Sequence, residues 1–319
     1  MFRIPFTLAS PAGPRGRLSI LILHRVLPQP DALFPDLPDA ARFEAQLRWL
    51  RDWFEVLPLH DGIERLYAGR IPARALAISF DDGYADNEQV AAPILRRLGL
   101  SATFFVTTSF LSGGCMWNDR VIEAVRSSCC DVLNLDPLGL GRHVLGPIPQ
   151  RRATIDRLLD AIKRLEPSRR AAHVDAIVAA AGAAGIPSLM MTPGQLHSLR
   201  RMGMDVGAHT LTHPILSRLS LEQARAEIGG SKEALERLLG EPVRLFAYPN
   251  GVPAEDYGPE HAALVRDCGF DAAVSTAWGA ASAQSDRYQL PRFTPWDRSR
   301  LRYGARMLAN LRLRERIAA

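Results

Sequence analysis

Apolar residues follow two alternating patterns along the chain. Short continuous runs at 18–23 (Leu-Ser-Ile-Leu-Ile-Leu), 75–80 (Ala-Leu-Ala-Ile-Ser-Phe) and 102–106 (Ala-Thr-Phe-Phe-Val) have the length of strands buried on both faces. Between and around them apolar positions recur at helical spacing. Residues 39–52 place Phe43, Leu47 and Leu50 on one side, 61–67 give a turn or two, and 87–98 predict a helix stopped by Gly99. A short strand is expected at 54–57. The pattern resumes with a helix at 196–202, a strand at 205–208, an amphipathic helix at 221–239 and strands at 244–247 and 272–275. Such alternation implies parallel strands with helical crossovers. It suits a (β/α) barrel, whose reactive groups sit at the C-terminal ends of its strands.

The alternation stops between residues 115 and 191. Residues 138–145 read as loop or hairpin, and 151–165 and 169–181 as helices rich in Arg and Ala. A mainly helical insertion is expected at about 115–191, either shaping a substrate cleft or serving as an appendage. The expected layout is a tail at 1–17, where Pro5, Pro11 and Pro14 interrupt a short apolar segment, a barrel at 18–297 carrying the insertion, and a basic helix or tail at 298–319.

Composition narrows the picture. The chain has 319 residues, 47% of them hydrophobic, which supports an ordinary globular core. Its formal net charge of +5 is local: residues 298–319 hold seven Arg against one Glu, so the rest is close to neutral. That argues against a nucleic-acid partner. The same segment has apolar residues at 301, 304/305, 308 and 311. The preferred reading is a last helix packed on the body with solvated Arg; the alternative is peripheral contact with an anionic membrane through this basic tail. The four Cys, at 115, 129, 130 and 268, form neither a zinc-knuckle nor a disulfide pattern. No apolar stretch approaches the roughly 20 residues that span a bilayer. No small-residue cleavage site follows 18–23, so a cytoplasmic enzyme is expected.

Two segments carry the candidate chemistry: Ser79-Phe80-Asp81-Asp82-Gly83 at the end of a buried run, and His209-Thr210-Leu211-Thr212-His213-Pro214. One Asp and two His can hold a divalent metal and leave coordination positions open. The second Asp would then be free to act as a base.

These segments resemble the first two motifs of the polysaccharide deacetylases, the NodB-homology carbohydrate esterases, and Phe246-Ala247-Tyr248-Pro249-Asn250-Gly251 is similar to their Pro-x-Gly motif. The likeness runs from about residue 19 to about residue 296. It implies a distorted seven-stranded (β/α) barrel. It further implies Asp82, His209 and His213 as metal ligands, Asp81 as general base, and the Tyr248 N–H as an oxyanion donor. Pro249 and Asn250 would border the substrate. Ligand types suit zinc first, with cobalt, iron, manganese or nickel also compatible. Many relatives carry Arg at or near the position of Tyr248; Arg292, in Gln-Leu-Pro-Arg-Phe, is the candidate substitute. His24 ends the first strand and looks like the acid His of the poly-N-acetylglucosamine deacetylases, with His60 as a weaker rival. Trp117, Trp278 and Trp296 are candidates for stacking on sugar rings, Trp117 being preferred. The implied reaction is metal-dependent removal of N-acetyl groups from an amino-sugar polysaccharide, such as an exopolysaccharide, or from a lipid-linked saccharide, with release of acetate. Alternatives are an O-acetyl esterase or non-sugar amide hydrolase on this fold, a two-His-one-carboxylate iron oxygenase, and a non-catalytic glycan-binding relative.

Overall fold

A computed structural model describes residues 2–183, 185–313 and 317–318. In chain order the strands are β1 (Leu18–Leu23), β2 (Glu55–Val56), β3 (Ala75–Phe80), β4 (Thr103–Val106), β5 (Val132–Leu135), β6 (Gly141–Val144), β7 (Asp205–Ala208), β8 (Leu245–Ala247) and β9 (Ala272–Val274). The α-helices are α1 (Arg3–Ala9), α2 (Ala40–Trp53), α3 (Leu59–Tyr67), α4 (Ala92–Arg97), α5 (Trp117–Ser127), α6 (Ile148–Ile162), α7 (Pro167–Ala180), α8 (Pro193–Arg201), α9 (Leu221–Leu239), α10 (Pro259–Asp267) and α11 (Arg300–Asn310). Two compact units result, one of residues 1–29, 36–111 and 191–319, the other of 30–35 and 112–190.

The first unit is a distorted (β/α) barrel. Its seven strands are all parallel, in the order β1-β3-β4-β7-β8-β9, with β2 also on β3. The ring is completed by bridges rather than by a full strand. Leu290 bridges Val274 of β9, and Phe293 bridges Leu21 of β1. Side chains alternate along each strand. Leu18, Ile20, Ala75, Ala77, Leu245 and Val274 form one buried cluster, with Leu59, Ile63 and Leu66 of α3 packed into it. Leu21, Leu76, Ile78, Phe80, Phe104 and Phe246 face the other way, onto Phe43 and Leu47 of α2, Leu95 of α4 and Ile228 of α9. Burial on both faces explains why these strands read as unbroken apolar runs.

Three local features depart from the sequence pattern. The segment expected as a tail at 1–17 contains α1, with the Phe6 ring 4.4 Å from Phe54 and 6.0 Å from Trp53. Pro5 is tolerated because it lies in the first turn, where a helix N–H has no intrahelical acceptor. The helix expected over 87–98 opens as a π-helical turn at Asn87–Ala91 before α4. Finally, α11 buries Tyr303, Gly304, Met307 and Asn310, while Leu301 is 61% exposed. Leu308 and Leu311 of the expected face do pack on the core, so Leu301 is the position of it left outside, and Gly304 permits the close approach, since a Cβ there would come within 2.6 Å of the Phe2 ring.

The second unit has its own core. α5, α6, α7 and the antiparallel hairpin β5–β6 enclose Val121, Val125, Leu133, Ile155, Leu158 and Ile177. The four cysteines are free. No helix among the described residues is long and apolar enough to cross a membrane.

Candidate active site

The site is assembled where β3, β7 and β8 end. Ser79 Oγ donates to the Leu21 carbonyl at 2.7 Å, and the Asp81 N–H donates to Leu23 O at 2.9 Å, extending the β1–β3 ladder by one residue. The chain then turns sharply. Asp82 has φ 77° and Gly83 φ 88°. Gly83 also lies against Val106, where a Cβ would meet the valine at 3.0 Å. Of the six non-glycine residues with positive φ among the described residues, four belong to the turns of this site: Asp82, Thr210, His213 and Asn250. Such conformations cost about 1–3 kcal/mol each and persist only where the surroundings enforce them.

Asp82, His209 and His213 converge. Asp82 Oδ1 lies 3.4 Å from His209 Nε2 and 3.3 Å from His213 Nε2, and one ligand atom from each residue falls within 4.8 Å of the others. His209 Nδ1 is 2.7 Å from the Ala247 carbonyl and must donate to it. A neutral His209 therefore turns the lone pair of Nε2 toward Asp82. Asp82 Oδ1 is buried without a hydrogen-bond partner. Carboxylate and imidazole lone pairs pointed at one place fit a divalent cation, and the bond at Nδ1 is the usual support of a ligating imidazole. Burial alone would raise the Asp82 carboxyl, yet it lies well below the usual range when N–H groups of the two imidazoles, rather than their lone pairs, face it with no cation between.

The His loop is itself cradled. Glu227 of α9 accepts from the Leu211 and Thr212 N–H groups, both at 2.9 Å, and from Thr212 Oγ1 at 2.6 Å. Thr210 Oγ1 accepts the His213 N–H at 3.0 Å. Glu227 was not legible as part of the site, because it lies mid-helix beyond the motif.

Arg292 meets Asp81 through a two-pronged bond. Its Nη1 and Nη2 reach the two carboxylate oxygens at 2.6 and 2.7 Å. Nε donates to the Ser275 carbonyl at 2.8 Å, and Nη1 also lies 3.2 Å from Ser79 Oγ. The Arg292 side chain is fully buried and that of Asp81 is 3% exposed. Burial would raise the Asp81 carboxyl, but Arg292, then His209, outweigh it and lower it. Arg292 sits on the segment that completes the barrel.

His24 stands exposed at the end of β1, near enough for its charge to act on both carboxylates. Its backbone is fastened by two residues the sequence had not singled out. Asn87 Nδ2 donates to the His24 carbonyl at 2.8 Å; Asp86 accepts from Arg25 Nε at 2.8 Å and from the Val26 N–H at 3.2 Å. His60 instead pairs with Asp271 at 2.9 Å, beside the N-terminal end of β9 and so away from these strand ends.

The third motif corrects an expectation. The Tyr248 N–H donates to Val274 O at 3.2 Å within the sheet. Its ring is buried and stacks on Tyr257 at 3.9 Å, and its hydroxyl donates to Tyr288 O at 2.8 Å. Tyr248 is thus spent as an oxyanion donor. After Pro249, Asn250 (φ 58°) and Gly251 (φ 72°) make a turn in which the Asn250 N–H has no partner among the described residues. Trp117 lies in the second unit, packed against that unit's core with Arg170 over its ring at 4.9 Å.

A parallel barrel that gathers an Asp pair and a His pair at the carboxyl ends of its strands defines a class, the (β/α) barrels with a candidate metal centre at that end. Within it the chain belongs to the polysaccharide deacetylase family, whose sequence model matches residues 68–134 and 152–273. It is 21% identical over 279 residues to YxkH of Bacillus subtilis (strain 168), a protein named for the same family; the match covers 87% of this chain and 71% of that one. Two solved structures share the fold at 18% identity and a TM-score of 0.58. They are the Streptococcus pyogenes deacetylase PplD in complex with acetate, with 87% of this chain and 92% of that one covered, and IcaB from Ammonifex degensii, with 92% and 98%.

Proposed function

We propose that the protein is a metal-dependent hydrolase that removes N-acetyl groups from an amino-sugar glycan. The observation that carries this reading is the orphaned Asp82 Oδ1 facing two imidazoles, beside a second carboxylate locked by Arg292. Asp82, His209 and His213 would hold the cation, zinc first by ligand type. A cation there would acidify water and draw electron density from an amide carbonyl.

The remaining work falls to the chain. Asp81, kept ionised by Arg292, accepts a proton as water adds to the acetamide carbonyl; its oxygens keep lone pairs beyond those engaged by the guanidinium. The Asn250 N–H is the donor assigned to the developing oxyanion. His24, in its protonated form, gives its proton to the departing nitrogen. The C–N bond breaks, and acetate and a free amine leave. The acetate held by PplD supports this product assignment by likeness only.

The test is acetate release from a panel of N-acetylated amino-sugar oligosaccharides, with O-acetylated glycans alongside. Release from the N-acetyl panel, abolished by a chelator and restored by zinc or cobalt, is expected. Release from O-acetyl glycans alone would move the reading to an esterase. His209→Ala should lose both bound metal and turnover.

A further inference from the structure

A cleft of about 490 Å³ opens beside the Asn250 turn, lined among others by Val252, Glu255, Thr276, Ala277 and Trp278. That volume lies within the range of small-ligand pockets. It shares a wall with the third motif, since Thr276 Oγ1 donates to Asn250 O at 2.8 Å and the Thr276 N–H donates to Gly251 O at 2.9 Å. Its other wall is tied to the base. The Ser275 carbonyl takes the Nε–H of Arg292, and the Ala277 carbonyl takes the Arg292 N–H at 2.9 Å.

Trp278 is 49% exposed in this cleft, yet its ring is braced. Phe293 meets it edge-on at 5.5 Å and Trp296 at 5.4 Å, and Arg306 in turn caps Trp296 at 3.9 Å. Phe293 bridges Leu21 in parallel, and Thr294 Oγ1 donates to Ile22 O at 3.0 Å. The aromatic segment therefore runs alongside the end of β1 toward His24. An indole braced by two rings and half-exposed offers its free surface to the apolar face of a pyranose ring. The Glu255 carboxylate, exposed and without a side-chain partner among the described residues, lines the same cleft.

We propose that this cleft is a subsite for a hexosamine ring bearing a free ammonium group, with Trp278 stacking on the ring and Glu255 pairing with the ammonium. The inference rests on the glycan reading above. It makes the enzyme prefer chains already partly de-N-acetylated, because the unit next to the reacting one would be a product of an earlier turnover.

The test titrates the intact, metal-loaded protein by calorimetry with a short glucosamine oligosaccharide and with a neutral glucose oligosaccharide of equal length, neither of which carries an acetyl group. Trp278→Ala should weaken both about fivefold. Glu255→Gln should weaken only the glucosamine ligand, about threefold and only at low salt. Glu255→Gln should leave the melting temperature unchanged, whereas Trp278→Ala gives up its contacts with Phe293 and Trp296 and should melt a few degrees lower; titrating well below both midpoints separates lost binding from lost folding. Parent-like affinity for the glucosamine ligand in both variants overturns the subsite, and equal losses for both ligands in Glu255→Gln overturn the ammonium assignment. Acetate release with parent-like binding in both variants would sink the subsite and leave the proposed function standing. Variant-sensitive binding by a protein that releases no acetate would do the reverse.

Discussion

The two units each contain an Arg–Asp fork, and the forks differ in everything but chemistry. In the barrel, Arg292 grips both oxygens of Asp81 at 2.6 and 2.7 Å, with side chains 0% and 3% exposed. In the helical unit, Arg126 grips both oxygens of Asp31 at 3.1 and 2.7 Å, with side chains 34% and 17% exposed. Water can replace either partner of the second fork. Burial leaves the first little bulk solvent to take the place of a lost partner, so each charge there relies chiefly on the other. The same two residue types thus make a modest surface tie in one place and an obligatory pair in the other. The obligatory pair is the one that contains the proposed base.

Four experiments would break or sharpen that contrast. Arg292→Met leaves Asp81 buried and alone, and should cost about 3–5 kcal/mol in urea unfolding. Its acetate release should fall by about 100-fold or more, because the base is no longer held. Near-parent stability in that variant would mean that Asp81 does not need Arg292 to compensate its burial. Arg292→Lys keeps the charge but loses the planar fork, and about a tenfold loss of turnover with unchanged metal content is expected from kinetics and metal analysis. Asp31→Asn, the matching lesion in the helical unit, should cost about 1 kcal/mol or less and leave acetate release at the parent level. A cost equal to that of Arg292→Met would erase the distinction.

The smallest effect is a pH dependence. The hydrogen bond from Arg126 lowers the Asp31 carboxyl. A depressed folded value means the fork's contribution is fully present above the unfolded value, about pH 3.9, and is lost as pH falls through the lower folded value. The gap in urea midpoint between parent and Asp31→Asn should therefore be constant near neutrality and close below about pH 4.

Much of the fold was legible because the strands are buried on both faces. Residues 18–23 and 75–80 are apolar but for one Ser each, and helix 221–239 was legible from its amphipathic spacing, its ends being set by the Ser220 cap and by Gly240 in the left-handed conformation. The site motifs were legible because they are contiguous. What stayed hidden was set by tertiary contact. The bridges at Leu290 and Phe293 are too brief to have a periodicity, so the sequence offered Arg292 only as a candidate. The Tyr248 N–H was misassigned because a strand end is not readable to one residue, and here one more rung of the ladder claims it. Trp117 was the preferred sugar platform from its place in the sequence; it packs on the core of the helical unit, and the subsite proposed above uses Trp278, whose half-exposed ring lines the cleft beside the third motif.

The completion of the ring through residues 290–293 has a consequence for synthesis. Asp81 emerges early from the ribosome, and its partner follows 211 residues later. A nascent chain can already contain every proposed metal ligand, yet the carboxylate proposed as the base lacks its guanidinium until the last rung closes. Under the proposed function, turnover would then report that the whole ring has formed.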